Sequence, residues 1–327
     1  MLKRGIVLSL CGMILAQGLA VSAPERFALR DGWQLQSGAK IEGAAGDALS
    51  APGWAGTGWY PTSVPKTVLA ALVENGVYPD PYYGTNLKNI PGYKDDGWLI
   101  MPEDSPFRDP WWYRTEFTLP ASFSGQRVTL CLDGINFKAN VWLNGALVAG
   151  SDSVAGMFRR FEFDVTAAVK PGEANALAIE CIPPGLLPDK DYHTKQIEAT
   201  TGWDDHNPQP PDRNLGLWED VYFRAQGPVT VRDVYVETDL DLPSLDTAKL
   251  TVSAFLQNLT DAPVTARIEG KIGAVTFAKD VTLEAKARTE VVFSPEDFSQ
   301  LVFQQPRLWW PINVGEQPLY DCDLTAS

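Results

Sequence analysis

Short runs that alternate apolar and polar residues, each cut off by Gly, Pro or Asn-Gly, recur along most of this chain. They fall at 127–132 (RVTLCL), 139–143, 158–165, 176–182 and 220–224. A period of two puts every second side chain on one face, the pattern of a strand with one side buried. Asn144-Gly145, between VWL and ALVAG, predicts a hairpin, because a type I′ turn needs positive φ at both central positions. Only one stretch reads as a helix. Pro65 starts it, Val68, Leu69, Leu72 and Val73 make its apolar face, and Asn75-Gly76 stops it. Many short strands with almost no helix specify an all-β chain built of sandwiches.

The pattern changes around Gln226-Gly227-Pro228. Before it the chain is rich in Trp, with long Pro- and Gly-containing loops; after it come leaner runs at 231–237, 249–257, 264–272 and 281–293. Strands at that spacing over about 100 residues suit an immunoglobulin-like sandwich. The expected boundary is Pro228, giving domains at 24–228 and 229–327.

The first 23 residues read differently. Lys3 and Arg4 precede an apolar run to about Ala20, and Val21-Ser22-Ala23 puts small residues at the −3 and −1 positions. That is the layout of a secretory signal peptide cleaved after Ala23, so a periplasmic or secreted protein is expected. The run is shorter than the ~20 residues of a membrane span. The chain has 27 Lys+Arg against 41 Asp+Glu, a charge of −14, and losing the leader makes it −16. Nucleic acid and anionic membranes need a basic footprint, so neither is an expected partner. Cys131, Cys181 and Cys322 remain, without CxxC or Cys/His spacing. No essential disulfide, zinc or other cofactor is expected.

Three stretches, 54–112, 202–219 and 306–311, are furnished beyond what a plain sandwich needs. Residues 54–112 hold Trp54, Trp59, Trp98, Trp111 and Trp112 with several Tyr, and such a loop either packs as a lid on a sheet or lines a pocket. Residues 202–219 (GWDDHNPQPPDRNLGLWE) set Asp204, Asp205, Asn207, Asp212, Arg213 and Asn214 among prolines and two Trp. Stiff loops with preplaced carboxylates and amides suit sugar hydroxyls; the alternative is a solvated connection. A Trp pair at 309–310 more often buries an interdomain contact than binds a ligand. No catalytic engine is visible. Glycoside cleavage takes two carboxyls about 5–5.5 Å or 6.5–9.5 Å apart across a sugar, and neighbouring acids in an extended segment point to opposite faces. There are only two His, and no GxSxG or HExxH.

The ordered set DPWWYRTEFTLP, LDGINFKANVWLNGALVAG, GMFRRFEFDVT, NALAIECIPP and GLWEDVYF resembles the N-terminal sugar-binding sandwich of family 2 glycoside hydrolases. VPKTVLAALVENGVYPDPYYGTN and GWDDHNPQPPDRNLG are most similar to the exo-β-D-glucosaminidase and β-mannosidase-like branch, and RLWWPINVGEQPLYDCDLT is similar to the family's immunoglobulin-like second domain. The resemblance implies a galactose-binding-like jelly-roll β-sandwich followed by an immunoglobulin-like β-sandwich. It places both catalytic glutamates on a following (β/α)8 barrel of about 250 residues, so no catalytic residue is expected within this chain. The sandwich would supply part of the substrate subsite to that barrel, in cis or in trans, for a β-linked oligosaccharide or glycoside. On the family pattern Trp203 and Asp205 reach the barrel mouth, an alternative alignment makes Asp204 the key carboxylate, and Asp109 is a weaker sugar-contacting match. This sequence has His206 where related ones carry Trp. The expected function is the N-terminal, non-catalytic part of an exported exo-β-glycosidase; the alternatives are a free-standing carbohydrate-binding protein and a structural subunit of a split glycosidase.

Overall fold

The computed structural model describes residues 25–41, 43, 45–93, 102–183 and 210–327. Residues 1–23, where a leader is expected, lie outside the described residues. The chain divides into two compact units, Pro24–Gly227 and Pro228–Ser327. It is nearly all β, a galactose-binding-like sandwich followed by an immunoglobulin-like one.

In the first unit a six-stranded antiparallel sheet runs in the order Tyr60–Thr62, Trp33–Ser37, Trp111–Thr118, Ala174–Ile182, Lys138–Leu143, Ala146–Ala149. A four-stranded sheet orders Glu25–Ala28, Val221–Gln226, Arg127–Leu132 and Phe161–Asp164. The predicted alternation explains why they form: in Val221–Gln226 every second residue is buried. Trp33, Leu35, Tyr113, Leu130, Leu132 and Phe223 belong to one buried core, where the Phe117 and Phe223 rings lie 4.9 Å apart. Cys131 and Cys181 are buried within their strands as free thiols. Asn144 (φ 51°) and Gly145 (φ 85°) make the expected hairpin turn.

Trp54, Trp59, Trp111 and Trp112 of the aromatic loop pack, whereas Tyr82 and Tyr83 are exposed and Trp98 lies outside the described residues. Trp112, Leu49 and Ala178 form a second buried cluster with Trp54, Trp59 and Trp142 against it. Trp54 meets Trp59 edge-on at 5.3 Å, and the Arg114 guanidinium lies 5.2 Å from the Trp54 ring. Buried Arg114 also donates its Nε to the Leu49 carbonyl at 2.7 Å and pairs with Glu116. That carbonyl belongs to a short helix, α1 (Gly46–Leu49).

Two sequence readings shift. The predicted helix is α2 (Val68–Glu74), and it begins at Thr67 rather than Pro65. Thr67 caps it by accepting from the Ala70 amide, while Lys66–Thr67 pairs as a short strand with Gly216–Leu217. That long-range pairing outweighs the local proline signal. In the second unit, the run 281–293 is two strands, Val275–Leu283 and Arg288–Phe293. A turn with Lys286 at φ 56° divides them.

The second unit has two sheets. Val229–Leu240, Thr247–Asn258 and Arg288–Phe293 form one, with Val302–Gln304 paired to the middle strand. Val275–Leu283, Val264–Ile272 and Cys322–Ala326 form the other. Val252, Leu256, Ile268 and Phe293 are fully buried in its core. Among the described residues no helix is long and apolar enough to cross a membrane.

Candidate functional site

A three-stranded sheet of two-residue strands joins distant parts of the first unit: Lys66–Thr67, Gly216–Leu217 and Ile135–Asn136. Its centre is glycine for a physical reason. Gly216 has φ 132°, and a Cβ there would stand 2.3 Å from Tyr113 Oη and 3.1 Å from the Val68 nitrogen. That hydroxyl donates to the Lys66 carbonyl at 2.9 Å, so it cannot move aside without losing a bond.

The segment 210–215 leads into this sheet as a tight polar turn. The Arg213 amide donates to the Pro210 carbonyl at 3.0 Å and the Leu215 amide to the Asp212 carbonyl at 2.9 Å. Arg213 and Asn214 both have left-handed backbones, at φ 54° and 57°. Asp212 is 1% exposed and Arg213 3%. The Asp212 carboxylate accepts from the Leu69 amide, in the first turn of α2, and from the Asn214 amide, both at 3.0 Å. Burial pushes its pKa up to about 6, outweighing those two amides and the Thr67 hydroxyl, which favour the charged form. Burial likewise lowers the Arg213 guanidinium to about 10, with Asp212 partly offsetting it. Asn136, fully buried, donates its Nδ2 to the carbonyl oxygens of Arg213 at 2.7 Å and Asn214 at 3.1 Å.

Beside this turn lies a cavity of about 580 Å³, within the range of small-ligand pockets. Pro210, Pro211, Asp212 and Asn214 form one wall, and α2 contributes Leu69, Val73 and Glu74. Lys66 pairs with Glu74 at its edge. Asp80 and Tyr82 close the rim, and Tyr82 is 96% exposed, an unpacked ring able to stack on a ligand.

The structure therefore sorts the described polar residues of 202–219. Arg213 is buried away from the cavity, Asn214 lines it, and Asp212 reaches its wall while 1% exposed and bonded to the Leu69 and Asn214 amides. Trp203, Asp204 and Asp205 lie outside the described residues, as do His206 and Asn207. Asp109 stands exposed before Trp111–Thr118 and does not line this cavity. Asn136 was not singled out from sequence, although an Asn inside the apolar GINFKANVW run signals a buried amide with a fixed partner. Among the described residues no group of three or more His, Cys, Asp or Glu could hold a metal ion.

Comparison with known proteins decides the family. The profile of the glycosyl hydrolase 2 galactose-binding domain-like family matches residues 33–219, and that of glycosyl hydrolases family 2 matches 229–327. The chain belongs to glycosyl hydrolase family 2. This family 2 chain is 42% identical over 296 residues to an exo-β-D-glucosaminidase of Streptomyces avermitilis, covering 90% of this chain and 30% of that protein. It is 36% identical to the exo-β-D-glucosaminidase of Amycolatopsis orientalis, covering 90% of this chain and 26% of that one. The crystal structure of the Amycolatopsis orientalis exo-chitosanase superposes with a TM-score of 0.72 at 33% identity, over 93% of this chain and 32% of that chain. The chain thus spans about 30% of the length of the curated relatives it matches. A β-D-mannosidase of Dictyoglomus thermophilum shares the fold, with a TM-score of 0.64 at 21% identity.

Proposed function

We propose that this chain is the N-terminal, non-catalytic part of an exported family 2 exo-β-glycosidase that removes terminal β-linked glucosamine. Residues 1–23 are its leader to the periplasm or medium, 24–228 the sugar-binding sandwich and 229–327 the immunoglobulin-like domain. The observation that carries the reading is the 42% identity to an exo-β-D-glucosaminidase over nearly the whole chain. Charge supports glucosaminide over the neutral mannoside: an amino sugar is cationic near neutrality, and a chain of −14 attracts cations.

In this reading a (β/α)8 barrel outside these residues supplies the two glutamates of a retaining hydrolysis. The sandwich supplies subsite wall. Trp203 and Asp205, or Asp204, bind sugar hydroxyls at the barrel mouth, with Asp109 as a weaker contact. The prolines at 208, 210 and 211 stiffen the connection, and the turn at 210–214 presents its outer face to the saccharide.

The test is turnover of p-nitrophenyl β-D-glucosaminide and β-D-mannoside. The 327-residue chain alone should release no p-nitrophenol, and the same chain continued through a family 2 barrel should hydrolyse the glucosaminide faster. Turnover by the chain alone, abolished by a substitution within it, would overturn the non-catalytic assignment. Preference for the mannoside would overturn the substrate.

A further inference from the structure

Two adjacent residues with side chains, Arg213 and Asn214, hold left-handed backbones. Asn visits that region readily, but Arg does so only when its surroundings over-determine it. Two buried side chains provide that constraint. Asp212 ties the turn to the first turn of α2 through Leu69 and closes on the turn itself through the Asn214 amide. Asn136 binds the next two carbonyls, those of Arg213 and Asn214. Among the described residues its Oδ1 accepts no hydrogen bond, and donation to these carbonyls is the polar use of a fully buried amide. Amide, carboxylate and turn therefore form one network, and such networks rigidify what they hold.

What they hold faces the cavity. Pro210 and Asn214 line it and Asp212 reaches it with only 1% of its surface exposed, its oxygens bonded to the Leu69 and Asn214 amides, whereas Asn136 has no exposed surface with which to touch a ligand. We infer that Asp212 and Asn136 are positioning residues for saccharide binding: together they fix the left-handed turn so that Pro210 and Asn214 form a rigid cavity wall. This rests on the reading above that this face meets a β-linked sugar.

The probe is the β-1,4-linked disaccharide of glucosamine, titrated into the 327-residue chain. Asn136→Ala and Asp212→Ala should each weaken binding about tenfold or more, the loss expected when a charged or buried hydrogen-bond partner is removed. Asp212→Asn keeps one acceptor oxygen and should fall between Asp212→Ala and the wild type. Amide hydrogen exchange should quicken at Leu69 and Asn214 in the alanine variants. It should keep the wild-type rate in Trp111–Thr118 and Ala174–Ile182, which shows that the sandwich survives. Wild-type binding with unchanged affinity in both alanine variants overturns the inference and leaves the sugar reading standing. No binding by the wild type overturns the sugar reading itself, and with it any role toward a ligand. Faster exchange throughout both strands means the pair merely holds the fold, and overturns the inference too.

Discussion

Replacing Asp212 with Asn should change how the stability of the first unit depends on pH. The carboxyl is 1% exposed, and its pKa rises from 3.8 to about 6 because burial penalises its charge. Between those values the folded state holds more proton than the unfolded chain, so stability falls as pH rises through the window. The contribution is fully present below about 3.8 and lost above about 6. A difference of about two pH units, at 1.36 kcal/mol each, is worth about 3 kcal/mol, of which roughly 2 falls between pH 4.5 and 7. Asn cannot ionise, and every other carboxyl is common to both proteins. The stability of the variant relative to the wild type should therefore rise by about 2 kcal/mol from pH 4.5 to pH 7. With a urea slope near 2 kcal/mol/M, the two midpoints should shift by about 1 M relative to each other. Tryptophan fluorescence follows this unit, since of 11 Trp all but Trp309 and Trp310 precede Pro228. Midpoints that keep a constant separation would show that the Leu69 and Asn214 amides hold Asp212 ionised throughout. A shift of the opposite sign would mean that hydrogen bonding, not burial, governs the group.

Gly216→Ala should lower the stability of the same unit by about 2–4 kcal/mol, combining a backbone conformation nearly reserved for glycine with a clash against Tyr113; a urea-measured loss under about 1 kcal/mol would mean the small sheet yields easily. The isolated chain should bind a hydrophobic dye and self-associate, because Trp309 (58%), Ile312 (83%) and Leu319 (78%) are exposed. A monodisperse monomer without dye signal in light scattering counts against that. In a protein that carries the barrel, Asp205→Asn should lower kcat/KM about 10- to 100-fold, the worth of one charge-assisted hydrogen bond, with little change in Tm. Asp204→Asn should cost much less, and equal effects, or a fall in Tm that tracks activity, would make the loop a structural connection.

Where one face of a strand is buried, the sequence pattern was sufficient. Val264–Ile272 coincides with its alternating run, since a slip of one residue would turn the apolar set to solvent. Arg127–Leu132 also keeps its expected bounds, although it is buried on both faces. The Asn144-Gly145 turn was equally legible, because its backbone demand is local. The start of α2 was not. Pro65 is a good local signal, but Thr67 is fixed by pairing with Gly216, some 150 residues further on. Likewise Lys286 adopts a left-handed backbone that no local rule assigns to lysine, so the run 281–293 gave no sign of its break.

The polar turn shows where such reading stops. Asp212, Arg213 and Asn214 look like a row of sugar ligands because their chemistry is right: a carboxylate, a guanidinium and an amide in a proline-stiffened loop. Chemistry does not give direction. Asp212 faces inward because its partner is the Leu69 amide, one of the donors that the first turn of any helix leaves without an intrahelical acceptor. The helix needs an acceptor there, and the turn, with φ positive at two residues, needs an anchor. One buried carboxylate answers both demands, at a desolvation cost visible in its raised pKa. A sequence-only reading cannot find that exchange, because the donor and the acceptor lie 143 residues apart. The preplacement expected of a sugar-binding carboxylate is present at Asp212, and it is spent on holding the turn whose Pro210 and Asn214 line the cavity.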